Sequence, residues 1–297
     1  MTTQRALGQA PALSERAEVV LHVPAGRVDE NSAQLLPRVH GRALVALGGG
    51  RVIDTAKAIA GAISVPCAAV PTTLSGAEMT RFHRTPAGAE SPSLVRPSLV
   101  VADPALMASQ PERDLAASAM NALAHAVEAL YTPLANPVAS MAALRAAHLI
   151  AAGLGAEEPG RDDLALGALL AGYASGQTGY AFHHVVCQTT VRLAGTPHGQ
   201  TNAVVLPHSV RLMEERAPAA IGRLARSLGA PDGGAAAGDR VARLVERTGV
   251  SSLRELGMRN DQVDAIADAA AGRAEVQNTP RPPDRDELRT LVAAALG

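Results

Sequence analysis

The sequence predicts two domains of different class: an α/β domain with a parallel sheet over residues 1–104, and an all-α domain over residues 105–297. Before Pro104, short apolar segments alternate with helical stretches, which is typical of parallel α/β layering. After Pro104, alanine-rich helical patterns follow one another and no strand pattern of comparable strength returns. Hydrophobic residues make up 47% of the 297 residues, enough to bury a sizeable core.

Composition also narrows the function classes. The formal net charge of -1 argues against nucleic acid or an anionic membrane as the main partner. Because no run approaches 18 uninterrupted apolar residues and the N-terminus has no apolar signal region, we expect neither a transmembrane helix nor a secretory signal. Cys67 and Cys187 are expected to be buried free thiols, and the protein to be cytoplasmic.

The elements of the α/β domain follow residues 1–18, a polar leader interrupted by proline. Apolar segments predict strands at 18–23, 42–47, 65–70 and 98–102, and helical patterns predict helices at 29–39 and 52–63. Turn residues end the last three strands, namely Gly48-Gly49-Gly50, Pro71-Thr72-Thr73 and Asp103-Pro104.

In the second domain, prolines separate the predicted helices. These helices are predicted at about 112–131, 138–153, 162–177, 181–193, 200–214, 216–228, 235–248, 260–271 and 285–296. The segment 272–284 is predicted to be a loop.

A glycine-rich turn joins the second strand to the following helix in the segment LVALGGGRVIDTAK, residues 44–57. Its backbone N–H groups, at the positive end of a helix, suit an anionic pyrophosphate. The alternative is a tight turn that binds nothing, since the pattern is not GxGxxG. Asp54 and Lys57, the only lysine, are three residues apart, and the simplest interpretation is a surface ion pair of little energy.

A second polar turn follows the next strand, in the segment PTTLSGAEMT, residues 71–80. Its hydroxyl groups suit the same ligand, because parallel sheets bind ligands at the carboxyl ends of their strands. The alternative is an ordinary helix start in which Ser75 and Glu78 form a capping box.

Histidines supply the third candidate site. Asn121 and His125 are four residues apart on one helix face, and His184 and His198 bracket another helix. Three histidines would suit zinc or iron, although the neutral Asn121 is a poor metal ligand. Tyr180 and Phe182 add two of the five aromatic residues beside this cluster. We expect the histidines at other positions to be non-catalytic, namely His22, His40, His148 and His208.

Five motifs in order carry a family resemblance: GGGRVIDTAKAIA (48–60), PTTLSGAEMT (71–80), NALAHAVEALY (121–131), HHVVCQTTVRLAGTPHG (183–199) and NAVVLPH (202–208). They resemble the iron-containing alcohol dehydrogenase superfamily. The chain is most similar to the maleylacetate reductase branch, which carries asparagine, here Asn121, where alcohol dehydrogenases carry a metal-binding aspartate.

The resemblance implies a dehydroquinate synthase-like/iron-dependent alcohol dehydrogenase architecture, with a Rossmann-like α/β domain and an all-α domain that carries the histidine site. It implies NAD(P)H as cofactor, held by Gly48, Gly49, Gly50, Asp54, Thr72, Thr73 and Ser75. It implies Asn121, His125, His184 and His198 as the catalytic set, and His125, His184 and His198 as ligands if iron or zinc is present. Metal is not generally essential in this branch.

Three features depart from the family pattern. Arg51 replaces the usual small residue after the glycines, where it would either bind a phosphate, favouring NADPH, or block the cradle. Family members place more residues before the glycine turn, so the nucleotide domain is expected to be truncated at its first strand and helix. Gln188 stands where the family usually has a histidine near the nicotinamide, and glutamine does not shuttle protons near pH 7.

The first hypothesis is therefore an NAD(P)H-dependent reductase of a carbonyl or a conjugated oxo-enoic acid. Substrate carboxylates would be bound by guanidinium and neighbouring groups, namely Arg81, His83, Arg84, Arg96 and Gln188. The alternative is a non-redox dehydratase, isomerase or cyclase that uses the histidine pocket for acid–base chemistry. A catalytically inactive binding subunit is a third hypothesis. In each case a small molecule is the expected ligand, and the unpaired sheet edge predicts a homodimer.

Overall fold

The computed structural model describes residues 1–89, 93–230 and 236–297, with Ala236 described in its backbone alone. The chain divides into two compact units, Met1–Gln110 and Pro111–Gly297. The boundary predicted at residue 104 falls slightly earlier, before a short helix that belongs to the first unit.

The first unit is built on a parallel sheet in the order β1 (Leu44–Gly48), β2 (Cys67–Pro71), β3 (Leu99–Val100). Its helices in the described residues are α1 (Gln4–Gln9), α2 (Ala12–Glu15), α3 (Val28–Leu35), α4 (Gly50–Ile63) and α5 (Pro104–Met107), with 3-10 turns at Leu36–Arg38 and Ala77–Met79. The core lies between the sheet and α3 and α4, where Ala46, Ile53 and Ile59 are fully buried. Parallel pairing places Gly48 opposite Pro71, so the two polar turns leave the sheet side by side.

Two predictions at the N-terminus are wrong. Residues 18–23 form no strand, because among the described residues their only pairing is a bridge between Thr2 and His22. A single paired residue builds no ladder. The predicted leader contains α1 and α2, and Thr3 starts α1 by accepting a hydrogen bond from the backbone N–H of Ala6.

The second unit is helical throughout its described residues. Its helices are α6 (Glu112–Ala129), α7 (Pro137–Gly155), α8 (Arg161–Thr178), α9 (Phe182–Ala194), α10 (His198–Arg216), α11 (Pro218–Ser227), α12 (Ala236–Val245), α13 (Val263–Ala271) and α14 (Arg285–Leu296). Short 3-10 turns occupy Glu246–Thr248, Asn260–Gln262 and Ala274–Asn278, the last inside the predicted loop 272–284. Small residues let the helices approach closely: a Cβ on Gly167 of α8 would lie 2.9 Å from Ile150 of α7.

Helix α7 is long and apolar enough to cross a membrane by length and composition alone. In the described residues it is the one helix with these properties, and 56% of its apolar window is buried inside the protein. It packs against α6 and α8, as a core helix does. Both cysteines are free and buried, as expected.

Candidate active site

The glycine turn passes directly from β1 into α4. Gly49 is the residue before the helix and has an extended conformation, no side chain caps the helix, and its first turn carries no acidic residue. The helix therefore presents uncompensated N–H groups and the positive end of its dipole, which suits an anionic phosphate.

The glycines also let this turn contact the second one. A Cβ on Gly49 would lie 2.8 Å from Thr73 Cγ2, and a Cβ on Gly50 would lie 3.0 Å from Ser75 Oγ. A larger residue would push the two turns apart. The structure thus brings the predicted glycines and hydroxyl groups together in one cradle, and this arrangement fits a dinucleotide pyrophosphate.

Lys57 of α4 hydrogen-bonds to the second polar turn and to the residues just after it. Its side chain is fully buried, and its Nζ donates to the carbonyl oxygens of Ala77 (2.8 Å), Thr80 (3.1 Å) and Phe82 (2.8 Å). Asp54 Oδ1 lies 2.8 Å from the same nitrogen. The interpretation as a surface ion pair is wrong, because the lysine is the internal donor that ties residues 77–82 to α4.

The predicted capping box between Ser75 and Glu78 does not form. Gly76 precedes the 3-10 turn in a left-handed conformation, and no side chain caps that turn. Glu78 is buried, and within the described residues neither carboxyl oxygen has a hydrogen-bond partner. Burial raises the pKa of Glu78 to about 7.

In the second unit, His125 of α6 and His184 of α9 meet face to face. Their ring centroids are 4.1 Å apart and their planes are inclined by 16°. Within the described residues, three buried polar atoms here have no hydrogen-bond partner: His184 Nε2, His125 Nδ1 and Asn121 Oδ1. Unpaired buried polar atoms are costly, so three of them in this cluster make it a candidate functional site.

Both imidazoles are held neutral. Desolvation, and then the nearby His198, lower the pKa of His184 to about 3. Desolvation, and then His184, lower the pKa of His125 well below its usual value. A neutral imidazole has one N–H donor and one acceptor nitrogen, so each ring of the pair offers one lone pair to a hydroxyl group.

Glu128, which was not predicted from the sequence, contacts His184 of this pair. Oε2 of its buried carboxyl group lies 2.6 Å from His184 Nδ1, and Oε1 accepts the backbone N–H of His183 at 2.9 Å. The pKa of Glu128 is raised by burial. The motif NALAHAVEALY contained this glutamate three residues after His125, on the same helix side, which is the signal that could have found it.

The other histidines of the cluster have different surroundings. His183 is fully buried, with Nδ1 2.9 Å from Ser209 Oγ and Nε2 3.1 Å from Asn202 Oδ1, so both ring nitrogens are bound within the core. His198 begins α10 and is exposed, with Nε2 3.3 Å from the Asn202 amide nitrogen.

Gln188 lies one helical turn after His184 in a polar cluster that the sequence did not predict. Arg273 donates to Gln188 Oε1 at 3.2 Å and to the hydroxyl of Tyr180 at 3.2 Å, and it pairs with Glu275 at 2.8 Å. The hydrogen bond from Arg273 lowers the pKa of Glu275 to about 2. The ring centroid of Tyr180 lies 6.0 Å from that of His184, so this polar cluster adjoins the histidine pair.

The candidate carboxylate-binding residues of the first unit lie on the segment that follows β2. Arg81, Arg84 and Arg96 are exposed. His83 accepts the backbone N–H of Val95 at Nε2 (3.1 Å) and contacts the Arg84 carbonyl through Nδ1 (3.0 Å). Both ring nitrogens of His83 therefore tether this segment.

A metal does not fit the histidine cluster as it stands. A metal bound by two imidazoles lies in the plane of each ring, on the nitrogen lone pairs, whereas the planes of His125 and His184 are nearly parallel and do not meet near the pair. Asn121 offers no charge. In the part of the chain that the structure describes, no group of three or more His, Cys, Asp or Glu side chains is arranged to hold a metal ion.

The fold, an α/β unit followed by a helical unit, and the two candidate sites are what a nucleotide-dependent enzyme requires. Family models match accordingly: "Iron-containing alcohol dehydrogenase" over residues 14–121 and "Fe-containing alcohol dehydrogenase family, C-terminal" over residues 115–296. The chain belongs to the iron-containing alcohol dehydrogenase family, in its maleylacetate reductase branch. It is an NAD(P)H-dependent reductase, and enzymes of this family act on small molecules.

Relatives and a solved structure named maleylacetate reductase are similar to most of the chain. Maleylacetate reductase 1 of Rhodococcus opacus is 36% identical over 285 residues, covering 93% of this chain and 78% of the relative. The maleylacetate reductase of Burkholderia cepacia is 33% identical, with coverages of 98% and 82%. The crystal structure of maleylacetate reductase from Agrobacterium tumefaciens superposes with a TM-score of 0.85 at 30% identity, covering 99% of this chain and 88% of that one. The predicted fold class is confirmed.

Proposed function

We propose that this protein reduces a small oxo-enoic acid of the maleylacetate type, using NADH or NADPH and its own histidines, without a metal. The observation that carries the proposal is the stacked pair His125 and His184 beside Asn121, with three buried polar atoms left unpaired. The names of the relatives, maleylacetate reductase, support the substrate class.

Residues 1–104 would hold the cofactor. The N–H groups at the start of α4 would bind the pyrophosphate, and Gly48, Gly49 and Gly50 would keep side chains out of its way. Thr72, Thr73 and Ser75 would extend the cradle, while Asp54 would hold Lys57 beneath it. When bound, the reduced nicotinamide supplies a hydride.

The helical unit, Pro111–Gly297, would supply the proton. As the substrate takes a hydride at its carbonyl or conjugated carbon, an electron pair moves to the carbonyl oxygen. That oxygen would take a proton relayed through His184 or His125, whose ring is neutral before and after the transfer, the state that burial favours. Asn121 would hydrogen-bond the same oxygen or a neighbouring one. His198, at the exposed start of α10, would replenish the proton from water.

Substrate carboxylates need cationic partners. Arg81, Arg84 and Arg96 are exposed, and a guanidinium group would bind a substrate carboxylate in a bidentate manner. Gln188, held by Arg273, would orient the substrate without exchanging a proton. The neutral Asn121 and the parallel imidazole rings support catalysis without a metal.

The test is steady-state reduction of maleylacetate with NADH and with NADPH, alongside a simple aldehyde, before and after treatment with a chelator and with added Fe²⁺ or Zn²⁺. We expect turnover of the oxo-enoic acid that the chelator leaves unchanged. His125→Gln and His184→Gln should each lower kcat by about 100-fold or more. His148→Gln is the matched control, because that histidine is exposed on α7. Full activity in both site variants, or activity that appears only with added metal, would contradict the proposal.

A further inference from the structure

Glu128 lies on the same helix as His125, three residues further on, and its side chain is almost fully buried. A buried carboxylate is stable only where hydrogen bonds compensate for the lost water. In this position three donors do so, and all of them belong to the start of α9.

Two of the donors are backbone groups. Oε1 of Glu128 accepts the N–H of His183 at 2.9 Å and approaches that of His184 at 3.4 Å. Helix α9 has no side-chain cap of its own at Ala181 and no acidic residue in its first turn. Glu128 therefore caps α9 from a different helix, and its negative charge faces the positive end of the helix dipole.

The third donor is the imidazole of His184, whose Nδ1 lies 2.6 Å from Oε2. Because the carboxylate is an acceptor, the proton of the neutral imidazole resides on Nδ1. Nε2 then carries the lone pair, and it is this nitrogen that is buried without a partner among the described residues.

The ring is also fixed in orientation. His125 stacks on one face with centroids 4.1 Å apart, and His183 lies edge-on with centroids 5.2 Å apart. The hydrogen bond to Glu128 and this stacking together leave one orientation in which Nδ1 reaches the carboxylate.

We propose that Glu128 is the positioning residue of the reduction: it fixes the tautomer of His184 so that Nε2 exchanges the proton with the substrate oxygen. The role presupposes the proposed function, but the tautomer itself is observable without any substrate. A carboxylate that holds the far nitrogen of an imidazole also stabilises the imidazolium, and the loss of such a partner in a catalytic triad lowers kcat by about 10⁴-fold.

The experiment has two readouts on the full-length protein. First, ¹⁵N-histidine labelling with long-range ¹H–¹⁵N correlation spectra reports which nitrogen of each imidazole is protonated, and loss of one signal set in His184→Gln assigns that residue. We expect His184 to be the Nδ1–H tautomer in the wild type. In Glu128→Gln the amide donates to Nδ1, so the tautomer should reverse to Nε2–H.

Second, Glu128→Gln should lower kcat with maleylacetate by about 100-fold or more while the KM for NADH or NADPH stays within twofold. Glu128→Asp keeps the carboxylate and should restore the Nδ1–H tautomer and part of kcat. Glu112→Gln, an exposed glutamate on the same helix, is the matched control and should change neither readout. Thermal unfolding identifies any variant that has lost its fold.

The outcomes separate the two ideas. An Nε2–H tautomer in the wild type, or an unchanged tautomer and kcat in a folded Glu128→Gln, overturns the role of Glu128 while the reductase stands. An inactive wild type with the Nδ1–H tautomer, reversed in Glu128→Gln, overturns the proposed substrate and leaves the positioning contact intact.

Discussion

Replacement of Lys57 by methionine is expected to destabilise the first unit by about 3–5 kcal/mol, because it leaves buried carbonyl oxygens without their donor. Methionine fills the space of the apolar stem but lacks the ammonium group, so three carbonyl oxygens lose their donor. Each of them costs about 1–3 kcal/mol if water does not reach it. Part of the loss is recovered at Asp54, whose side chain is 30% exposed and regains water.

Loss of a surface ion pair would cost less, because exposed ion pairs contribute less than about 1 kcal/mol to the free energy of unfolding. Urea unfolding, with hydrogen exchange of the amides in 77–82, measures the difference. Arg51→Ala is the control, a cation exposed on the same helix. The double variant Asp54→Asn/Lys57→Met should be more stable than Lys57→Met, since it removes the unpaired carboxylate. A loss in Lys57→Met no larger than that in Arg51→Ala would refute the internal role of the lysine.

Two further predictions concern the same unit. The pKa of Glu78 is raised from 4.5 to about 7, so its contribution to stability is fully present below pH 4.5 and is lost as the pH rises through 7, a change of about 3 kcal/mol. Glu78→Gln should flatten this dependence in unfolding measurements from pH 4 to 8, whereas the exposed control Glu30→Gln should retain it. Gly49→Ala places a Cβ 2.8 Å from Thr73 and should weaken NADH and NADPH binding about tenfold, or about 1.4 kcal/mol, in fluorescence titrations. Gly8→Ala, with open space around it, should leave both affinities unchanged, and equal affinities in the two variants would contradict the cradle.

The succession of elements was accessible from the sequence because each depends on a local pattern. Helix α14 was predicted over 285–296 and occupies Arg285–Leu296, where Asp284 and Glu287 form a capping box. A strand was predicted over 42–47 from apolar residues and the glycine turn after them, and β1 occupies Leu44–Gly48. No strand forms at 18–23, because a strand requires a row of paired residues and in this segment His22 alone is paired, with Thr2.

The candidate site was predicted in part. The four-residue spacing of Asn121 and His125 placed both on one helix face, which a single helix determines. That His184 stacks on His125 at 4.1 Å, and in nearly parallel planes, depends on how α6 and α9 pack. The angle between the two rings bears on whether they bind a metal or a hydroxyl group, and residue types alone do not contain it.

The sequence by itself determined an α/β unit followed by a helical unit, the two polar turns after β1 and β2, and the histidines of the site. Periodicity, turn residues and motif order encode these features over a few residues each. Tertiary structure decided the partners: Lys57 with carbonyl groups 20 to 25 residues away, Glu128 with His184 across 56 residues, and Arg273 with Gln188 across 85. The physical reason is that burial and hydrogen bonding fix the state of a titratable side chain, and both arise only when distant segments pack together.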